Sequence, residues 1–152
     1  LAHVAGILGD RSPVKHYDVP TWLKVMHVNV NAAFILTQTL LPLLERSVDP
    51  SIVFTTSGVS NRGRAYWGAY AVSKFGVEGM MQVLADELDT PERRLRVNSV
   101  NPGKVRSGMR AKAYPAEDAA TLPLPETVLA PFLYLLGPDS REVTGRRFDA
   151  QA

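Results

Sequence analysis

A serine, a tyrosine and a lysine are spaced along this chain in a way that suits proton transfer. Ser57 precedes Tyr70 by 13 residues, and Lys74 follows Tyr70 by 4. A free tyrosine has a pKa of roughly 10, too high for an efficient base near neutral pH. An ammonium group one helical turn away stabilises the phenolate and lowers that pKa. The spacing therefore predicts that Tyr70 exchanges a proton with a carbonyl or alcohol oxygen that Ser57 holds in place.

The elements around these residues are predicted to bring them together. A β-branched strand over 51–56 ends directly before Ser57, and a helix over 69–88 places Tyr70 and Lys74 on one face, with Pro91 just beyond its end. In open parallel sheets, ligands bind beyond the carboxyl ends of the strands. Because the intervening loop can fold Ser57 back toward Tyr70, the three side chains are expected to form one cluster.

Strands and helices alternate along the rest of the chain. The other predicted elements are strands at 1–8, 95–100 and 142–149, helices at 21–46 and 126–136, and a short helix within the irregular stretch 104–123. This alternation predicts an α/β fold whose mostly parallel sheet is covered by helices on both faces. Because no linker or shift of composition interrupts the pattern, we assign 1–152 to a single domain.

Asn29 is the fourth candidate for the site. It lies in the middle of a predicted helix, in HVNVNAAF, where its amide competes for backbone hydrogen bonds. Such a local violation is often found at a functional site. Taken singly, each of the four has an ordinary structural interpretation: Asn29 as a satisfied buried amide, Ser57 as a loop serine, Tyr70 as a half-buried aromatic and Lys74 as a solvated charge.

The composition excludes several classes of function. The net charge of +2 is too small to argue for nucleic acid or a membrane surface, and no apolar run reaches the roughly 18 residues of a membrane span. The absence of cysteine fits a cytoplasmic protein. His3, His16 and His27 share no metal-ligand spacing, so no metal site is predicted. The basic run of Arg93, Arg94 and Arg96 is interpreted as a solvated strand end.

Several segments resemble the short-chain dehydrogenase/reductase family. They are VMHVNVNAAF, IVFTTSGVSNRGRAYWGAY, GAYAVSKFGVEGM, RVNSVNPGKVRS and VTGRRFDA, which follow in family order and cover nearly the whole chain. The sequences of three segments are most similar to one bacterial group of oxidoreductases. They are RGRAYWGAYAVSKF, GMMQVLADE and TGRRFDAQ. The resemblance implies the C-terminal part of a Rossmann-type, doubly wound fold of three α/β/α layers. It also implies hydride transfer between NADP or NAD and a carbonyl or alcohol substrate.

The resemblance further implies a role for each site residue. Tyr70 would be the acid/base, Lys74 would lower its pKa and bind the nicotinamide ribose, and Ser57 would orient the substrate oxygen. Asn29 would anchor a water that relays protons to Lys74. Contacts with the cofactor are implied for Ala5, Gly6, Tyr70, Lys74, Pro102, Gly103, Val105 and Ser107. The helices 20–46 and 67–89 correspond to those that pair subunits in the family, which implies a homodimer or homotetramer.

Two departures from the family pattern bear on cofactor binding. Val4-Ala5-Gly6 stands where the family has Asn-Ala-Gly, and valine supplies no side-chain hydrogen bonds, so mildly weakened cofactor geometry is predicted. The Gly-x-x-x-Gly-x-Gly turn that holds a pyrophosphate at a helix N-terminus has no counterpart in the 152 residues. We therefore interpret the chain as the catalytic part of a longer enzyme without its first βαβαβ half. Strand 1–8 would then be an exposed apolar edge.

Two rival functions remain open at this point. The missing glycine-rich turn favours a non-catalytic remnant that at most forms mixed oligomers through its two pairing helices. A family member that uses Tyr70 and Lys74 for epimerisation or dehydration is the other rival. The short region after Pro102-Gly103 and the lack of a C-terminal substrate domain count against that second rival.

Overall fold

Four parallel strands form one sheet in the computed structural model, which describes residues 1–90 and 95–151. They are β1 (Ala2–His3), β2 (Ser51–Thr55), β3 (Arg96–Asn101) and β4 (Arg147–Asp149), in the spatial order β1-β2-β3-β4. Each neighbouring pair is parallel, with Ser51 opposite Arg96 and Ser99 opposite Arg147 in register. Parallel strands need crossover connections over the sheet faces, and the predicted α/β class is confirmed.

Helices make these crossovers. They are α1 (Val19–Met26), α2 (Ala32–Leu44), α3 (Gly68–Leu88), α4 (Gly108–Ala113) and α5 (Ala130–Leu136). Asp18 caps α1, since its carboxylate accepts a hydrogen bond from the Thr21 amide at 2.8 Å, and Pro20 occupies the first turn. A π-helical turn, His27–Asn31, joins α1 directly to α2. The helix predicted at 21–46 is therefore present, but its middle turn holds one more residue than an α-helical turn.

Apolar side chains fill both faces of the sheet. The residues buried on the face covered by α2 and α3 are Ala33, Ile52, Phe54, Val77, Met81, Ala85, Leu95 and Val97. On the other face, Val53 and Val100 pack against Leu135 of α5. Successive strand residues point to opposite faces, which is why Val53 lies on the other side from Ile52 and Phe54. The predicted three-layer α/β/α arrangement is confirmed.

Three elements are shorter than the sequence predicts. The strand predicted at 1–8 pairs only over Ala2–His3, and the last strand only over Arg147–Asp149. The helix predicted at 126–136 begins at Ala130, because Pro131 lies in its first turn and a 3₁₀ turn, Pro125–Val128, precedes it. β1 lies at the sheet edge, and Val4 just beyond it is 64% exposed, which agrees with the predicted exposed apolar edge.

The interpretation of Arg96 as a solvated strand end is wrong. Arg96 is 1% exposed, and its guanidinium donates to the Gly137 carbonyl oxygen at 3.0 Å and to the Asp49 carboxylate at 3.0 Å. It also donates to the Ser140 hydroxyl. A buried charge is tolerated only when it is paired and hydrogen-bonded in this way. The helix predicted at 69–88 is present as α3, Gly68–Leu88, whereas Arg93, Arg94 and Pro91 lie outside the described residues.

Two segments, Val19–Leu44 and Ala119–Leu136, reach the length and mean hydropathy of a membrane span. Length and composition alone carry little weight, because core helices of soluble proteins pass the same test. Both segments are interrupted here, the first by the π-helical turn and the second by 3₁₀ turns before α5.

Candidate active site

A cleft of about 170 Å³ opens where the carboxyl ends of the strands meet. Ser57 follows β2, Tyr70 and Lys74 come from the first turns of α3, and the Pro102-Gly103 turn follows β3. Of the predicted site residues, the cleft is lined by Gly6, Ser57, Tyr70, Lys74, Pro102, Gly103, Val105 and Ser107. Ala5 and Asn29 do not line it. The spacing of Ser57, Tyr70 and Lys74 therefore does bring the three side chains to one place.

Tyr70 is 7% exposed, and its phenol and the Ser57 side chain line the same cleft. Burial raises the pKa of the Tyr70 phenol, and the hydrogen bond with Ser57 acts in the opposite direction. The direction in this structure is opposite to the lowered pKa that the Tyr70–Lys74 spacing predicts, because burial has the larger effect. The phenol is therefore protonated near neutral pH and is placed to donate.

Lys74 is buried beneath the cleft floor, with 5% of its surface exposed. Its ammonium nitrogen donates to the Thr55 carbonyl oxygen at 2.7 Å and lies 5.7 Å from the centre of the Tyr70 ring. Burial lowers the pKa of Lys74 to about 8. Lys74 thus remains positively charged at neutral pH but lies close to the point at which it releases a proton.

Asn29 lies in the π-helical turn and fastens it to the chain that follows β1. Its Oδ1 accepts from the Ile7 amide at 2.8 Å, and its Nδ2 donates to the Ile7 carbonyl at 2.9 Å. The second hydrogen of Nδ2 goes to the Ser73 hydroxyl at 2.9 Å, which connects Asn29 to α3 next to Lys74. The awkward asparagine is explained by these contacts, and π-helical turns are frequent at functional sites.

The Pro102-Gly103 turn forms the opposite wall. Gly103 has φ +76°, a left-handed conformation that a side chain would strain, and a Cβ there would lie 2.8 Å from the Gln151 amide nitrogen. Gln151 donates to the carbonyl oxygens of Pro102 at 2.7 Å and Lys104 at 3.0 Å. The Gly103 amide in turn donates to the Asn101 side chain at 3.1 Å. The turn is therefore fixed by hydrogen bonds from both sides.

Unsatisfied hydroxyls lie close to Lys74. Among the described residues, the buried hydroxyl oxygens of Thr55 and Thr56 make no hydrogen bond. Both threonines line the cleft. Ala5 and Asn29 instead line a second cavity, of about 130 Å³, which shares Val4, Thr55 and Lys74 with the first. Buried polar groups without partners cost free energy, so these two hydroxyls are a local cost to stability beside the cleft.

The substrate end of the cleft was not predicted. Trp67 lies one helical turn before Tyr70, with ring centres 5.8 Å apart, and the spacing within AYWGAY could have revealed it. Leu8, Met109 and Ala113 complete an apolar wall. The Arg11 guanidinium lies 4.9 Å from the centre of the Trp67 ring and donates to the Ala113 carbonyl. Arg11 comes from a distant segment, so no local pattern indicates this contact.

The chain matches known proteins over nearly its whole length. The family model described as short chain dehydrogenase matches residues 1–118. The oxidoreductase YciK of Escherichia coli strain K12 is 55% identical over 149 residues, covering 98% of this chain and 58% of YciK. The chain thus spans about 58% of the length of this curated relative. YciK belongs to the bacterial group of oxidoreductases that the sequence around Tyr70 resembles.

Solved structures agree with this match. A short chain dehydrogenase from Shigella flexneri 2a strain 301, complexed with NADP, is 54% identical with a TM-score of 0.94 and is matched over 99% of this chain and 62% of its own. One from Escherichia coli CFT073, complexed with NADPH, is 55% identical with a TM-score of 0.94 and the same coverage, 99% and 62%. With the parallel sheet, the clustered site and these matches in agreement, the chain belongs to the short chain dehydrogenase family.

Proposed function

We propose that this chain carries the proton-transfer side of an oxidoreductase that moves a hydride between NADP or NAD and a carbonyl or alcohol substrate. The observation that supports this most is the convergence of Ser57, Tyr70 and Lys74 in one cleft beside the Pro102-Gly103 turn. A hydroxyl, a protonated phenol and a buried ammonium group together supply what carbonyl reduction requires apart from the hydride.

The residues at the polar end of the cleft fit a nicotinamide ribose. The Lys74 ammonium group, which lines the cleft, offers a hydrogen bond to a ribose hydroxyl. Ala5, Gly6, Tyr70, Lys74, Pro102, Gly103, Val105 and Ser107 are proposed to contact the cofactor. The cofactor supplies the hydride when it is bound. Of the two cofactors we propose NADP, since the relatives from Shigella flexneri and Escherichia coli CFT073 are complexed with NADP and NADPH.

Tyr70 is the proposed proton donor. Burial keeps its phenol protonated, so near neutral pH the site favours donation to a carbonyl oxygen over removal of a proton from an alcohol. Ser57 would hold the same oxygen, and the positive charge of Lys74 would stabilise the phenolate that donation leaves behind. A water anchored near Asn29 would return the proton through Lys74. The amide of Asn29 is fully engaged with Ile7 and Ser73, so that water would be held by the backbone of the turn.

The cleft walls favour an uncharged, apolar substrate. Leu8, Trp67, Met109 and Ala113 surround the phenol. Arg110 also lines the cleft, but its guanidinium is paired with Glu117, including one contact of 2.6 Å. Because Glu117 neutralises this charge, Arg110 is not available to pair with an anionic substrate. An aromatic or branched apolar ketone or aldehyde is the proposed substrate class.

A second candidate function is supported by the surface of α2 and α3. Phe34, Ile35, Val72, Phe75 and Val83 are between 43% and 56% exposed. Such apolar side chains support pairing into a homodimer or homotetramer through helices 20–46 and 67–89. A non-catalytic remnant would use this surface alone. Binding of NADPH or NADH can be measured through the quenching of tryptophan fluorescence. Saturable binding would exclude the hypothesis of a non-catalytic remnant, and the absence of binding would support it.

The test of the proposed function compares two tyrosine substitutions in the full-length protein. Tyr70→Phe removes the proton donor and should lower kcat/KM for NADPH-dependent ketone reduction about 10²-fold or more. Tyr66→Phe is the matched control, because Tyr66 is 56% exposed and lies in the same segment. A Tyr70→Phe protein that keeps full activity on a ketone that the unmodified protein reduces would refute the proposal. The proposal includes a cytoplasmic location and a small-molecule substrate, with neither nucleic acid nor a membrane as partner.

A further inference from the structure

Arg147 links the last strand to the loop that carries Ser57. Its Nη2 donates to the Ser57 carbonyl oxygen at 3.2 Å. Its Nη1 donates to the Ser60 hydroxyl at 2.6 Å and to the Asn61 side-chain oxygen at 2.9 Å. A single guanidinium thus holds three points of the loop. Hydrogen bonds from a charged donor are stronger and more directional than neutral ones.

Two carboxylates lie close to the guanidinium of Arg147. Glu78, 8% exposed on α3 and one turn after Lys74, has a carboxylate oxygen 3.9 Å from Nη1 of Arg147. Both oxygens of Glu78 accept from the Ser99 hydroxyl, at 3.0 and 3.1 Å, and Ser99 is the register partner of Arg147. Asp149 lies 3.6 Å from Nη2. The side chain of Arg147 is therefore fixed between α3, β3 and the loop, and only 20% of it is exposed.

The Ser57 carbonyl accepts more hydrogen bonds than an ordinary loop carbonyl. Besides Arg147, the Ser60 amide donates to it at 3.0 Å and the Ser60 hydroxyl at 2.7 Å. Fixing this carbonyl fixes the peptide plane at Ser57. Since the backbone angles limit the allowed side-chain rotamers, the same contacts restrict the rotamers open to the Ser57 side chain.

We propose that Arg147 is a positioning residue, which sets the Ser57 hydroxyl against the Tyr70 phenol by holding the Ser57 carbonyl, Ser60 and Asn61. The proposal rests on the proposed function of Ser57 and Tyr70. Arg147 acts through the loop and touches neither the substrate nor Tyr70. Its role is thus separate from that of Lys74, whose ammonium group lies directly below the site.

The test follows the titration of Tyr70 in the full chain by NMR of ¹³C-labelled tyrosine, with Tyr70→Phe used to assign the signal. Arg147→Met should raise the Tyr70 midpoint by about 0.5 pH unit, as expected for a weakened hydrogen bond to the ionised phenol. Ser57→Ala should raise the midpoint at least as far. Arg146→Met is the matched control, since Arg146 is the exposed neighbour on the same strand segment and should leave the midpoint unchanged.

Two further variants separate positioning from simple charge. Arg147→Lys keeps the positive charge but cannot reach three acceptors. If Arg147 acts by positioning the loop, this variant should shift the pKa of Tyr70 as far as Arg147→Met does. In the Ser57→Ala background, Arg147→Met should add no further shift. A full rescue by Arg147→Lys, or an equal shift in the Ser57→Ala background, would overturn the proposal. Should Arg147→Met not fold, the combined Ser60→Ala and Asn61→Ala variant removes two of the three loop contacts of Arg147 and should raise the pKa of Tyr70 by a smaller amount.

The same data distinguish this proposal from the proposed function. If Ser57→Ala leaves Tyr70 unchanged, the pairing of Ser57 with Tyr70 is wrong and the proposed function loses its support. If Ser57→Ala shifts Tyr70 but Arg147→Met does not, only the role of Arg147 is wrong.

Discussion

The side chain of Asn29 and the backbone of Ile7 are joined by two hydrogen bonds, one accepted at 2.8 Å and one donated at 2.9 Å. Because Asn29 lies in the π-helical turn and Ile7 follows β1, this pair ties the helix layer to the sheet at the edge of the active-site cleft. Gly6, one residue earlier, lies beside both groups, since a Cβ there would be 3.4 Å from Asn29 Oδ1 and 3.7 Å from Lys74 Nζ. The asparagine therefore helps to position the chain beside Lys74.

Asn29→Ala should lower the free energy of unfolding by about 2 kcal/mol, because three hydrogen bonds are lost and the Ile7 amide and carbonyl lose their partners. Urea denaturation measures the change. Asn31→Ala, at an exposed position in the same turn, is the control and should cost far less. Equal losses for the two variants would show that Asn29 does not fasten the turn.

Lys74→Met should stabilise the protein at pH 7 by about 1 kcal/mol while it lowers activity, because it removes a buried charge at the expense of one hydrogen bond to Thr55. Lys24→Met, at an exposed position on α1, is the control and should leave both stability and activity nearly unchanged. A loss of stability in Lys74→Met would contradict this account of the buried ammonium group.

The buried ammonium group of Lys74 should also make the stability of the protein depend on pH. The pKa of Lys74 is 10.5 in the unfolded chain and about 8 in the folded protein. Between these values the unfolded chain binds the proton that the folded protein has released, so the free energy of unfolding should rise with pH across this window. Denaturation at several pH values measures the slope. The contribution of Lys74 is the part of the slope that disappears in Lys74→Met.

Gly68→Ala should destabilise the protein by about 1–3 kcal/mol. Gly68 begins α3 with φ +20°, and a Cβ there would lie 2.8 Å from two carbons of the Tyr17 ring. Gly79→Ala is the opposite case within the same helix, because nothing lies within 4 Å of its Cβ position, and it should stabilise by about 0.5–1 kcal/mol. Thermal denaturation of both variants tests these two predictions. A change in stability of the same sign for both variants would refute them.

Phe75→Glu should weaken the proposed pairing of subunits, since Phe75 is 43% exposed on α3 and a carboxylate there would be buried in the interface. Sedimentation velocity would show a smaller species at concentrations where the unmodified protein is associated. Val48→Glu introduces the same charge at a residue that is 98% exposed and outside both pairing helices, so it should leave the assembly intact. An unchanged assembly in Phe75→Glu would place the interface elsewhere.

The centre of the site was predictable because its residues are local in sequence. Ser57 directly follows a strand of β-branched residues, and Tyr70 and Lys74 are one turn apart on a helix with a clear pattern. Local periodicity is enough to place all three at the carboxyl end of the sheet. Asn29 was recognisable by its poor fit to a helix interior, although the π-helical turn that explains it has no sequence signal of its own.

Arg96 and Arg147 show where sequence reasoning fails. Each is a charged residue in or beside a basic run, which normally indicates a solvated end. The partners that make burial of Arg96 acceptable, Asp49 and Gly137, lie 47 and 41 residues away. Arg147 meets Ser57 across 90 residues of chain. Long-range pairing of this kind decides between a solvated and a buried arginine, and local patterns carry no information about it.

The π-helical turn at His27–Asn31 also sets the rotational phase between α1 and α2. An α-helix turns by about 100° per residue, so the one extra residue rotates the whole of α2 about its axis relative to α1. That rotation directs Ala33 and Thr37 inward and leaves Phe34 and Ile35 outside. Deletion of one residue from the turn would therefore rotate α2 by about 100° and change which of its residues face the sheet. The turn that contains Asn29 thus also determines which side chains α2 buries against the sheet and which it leaves exposed.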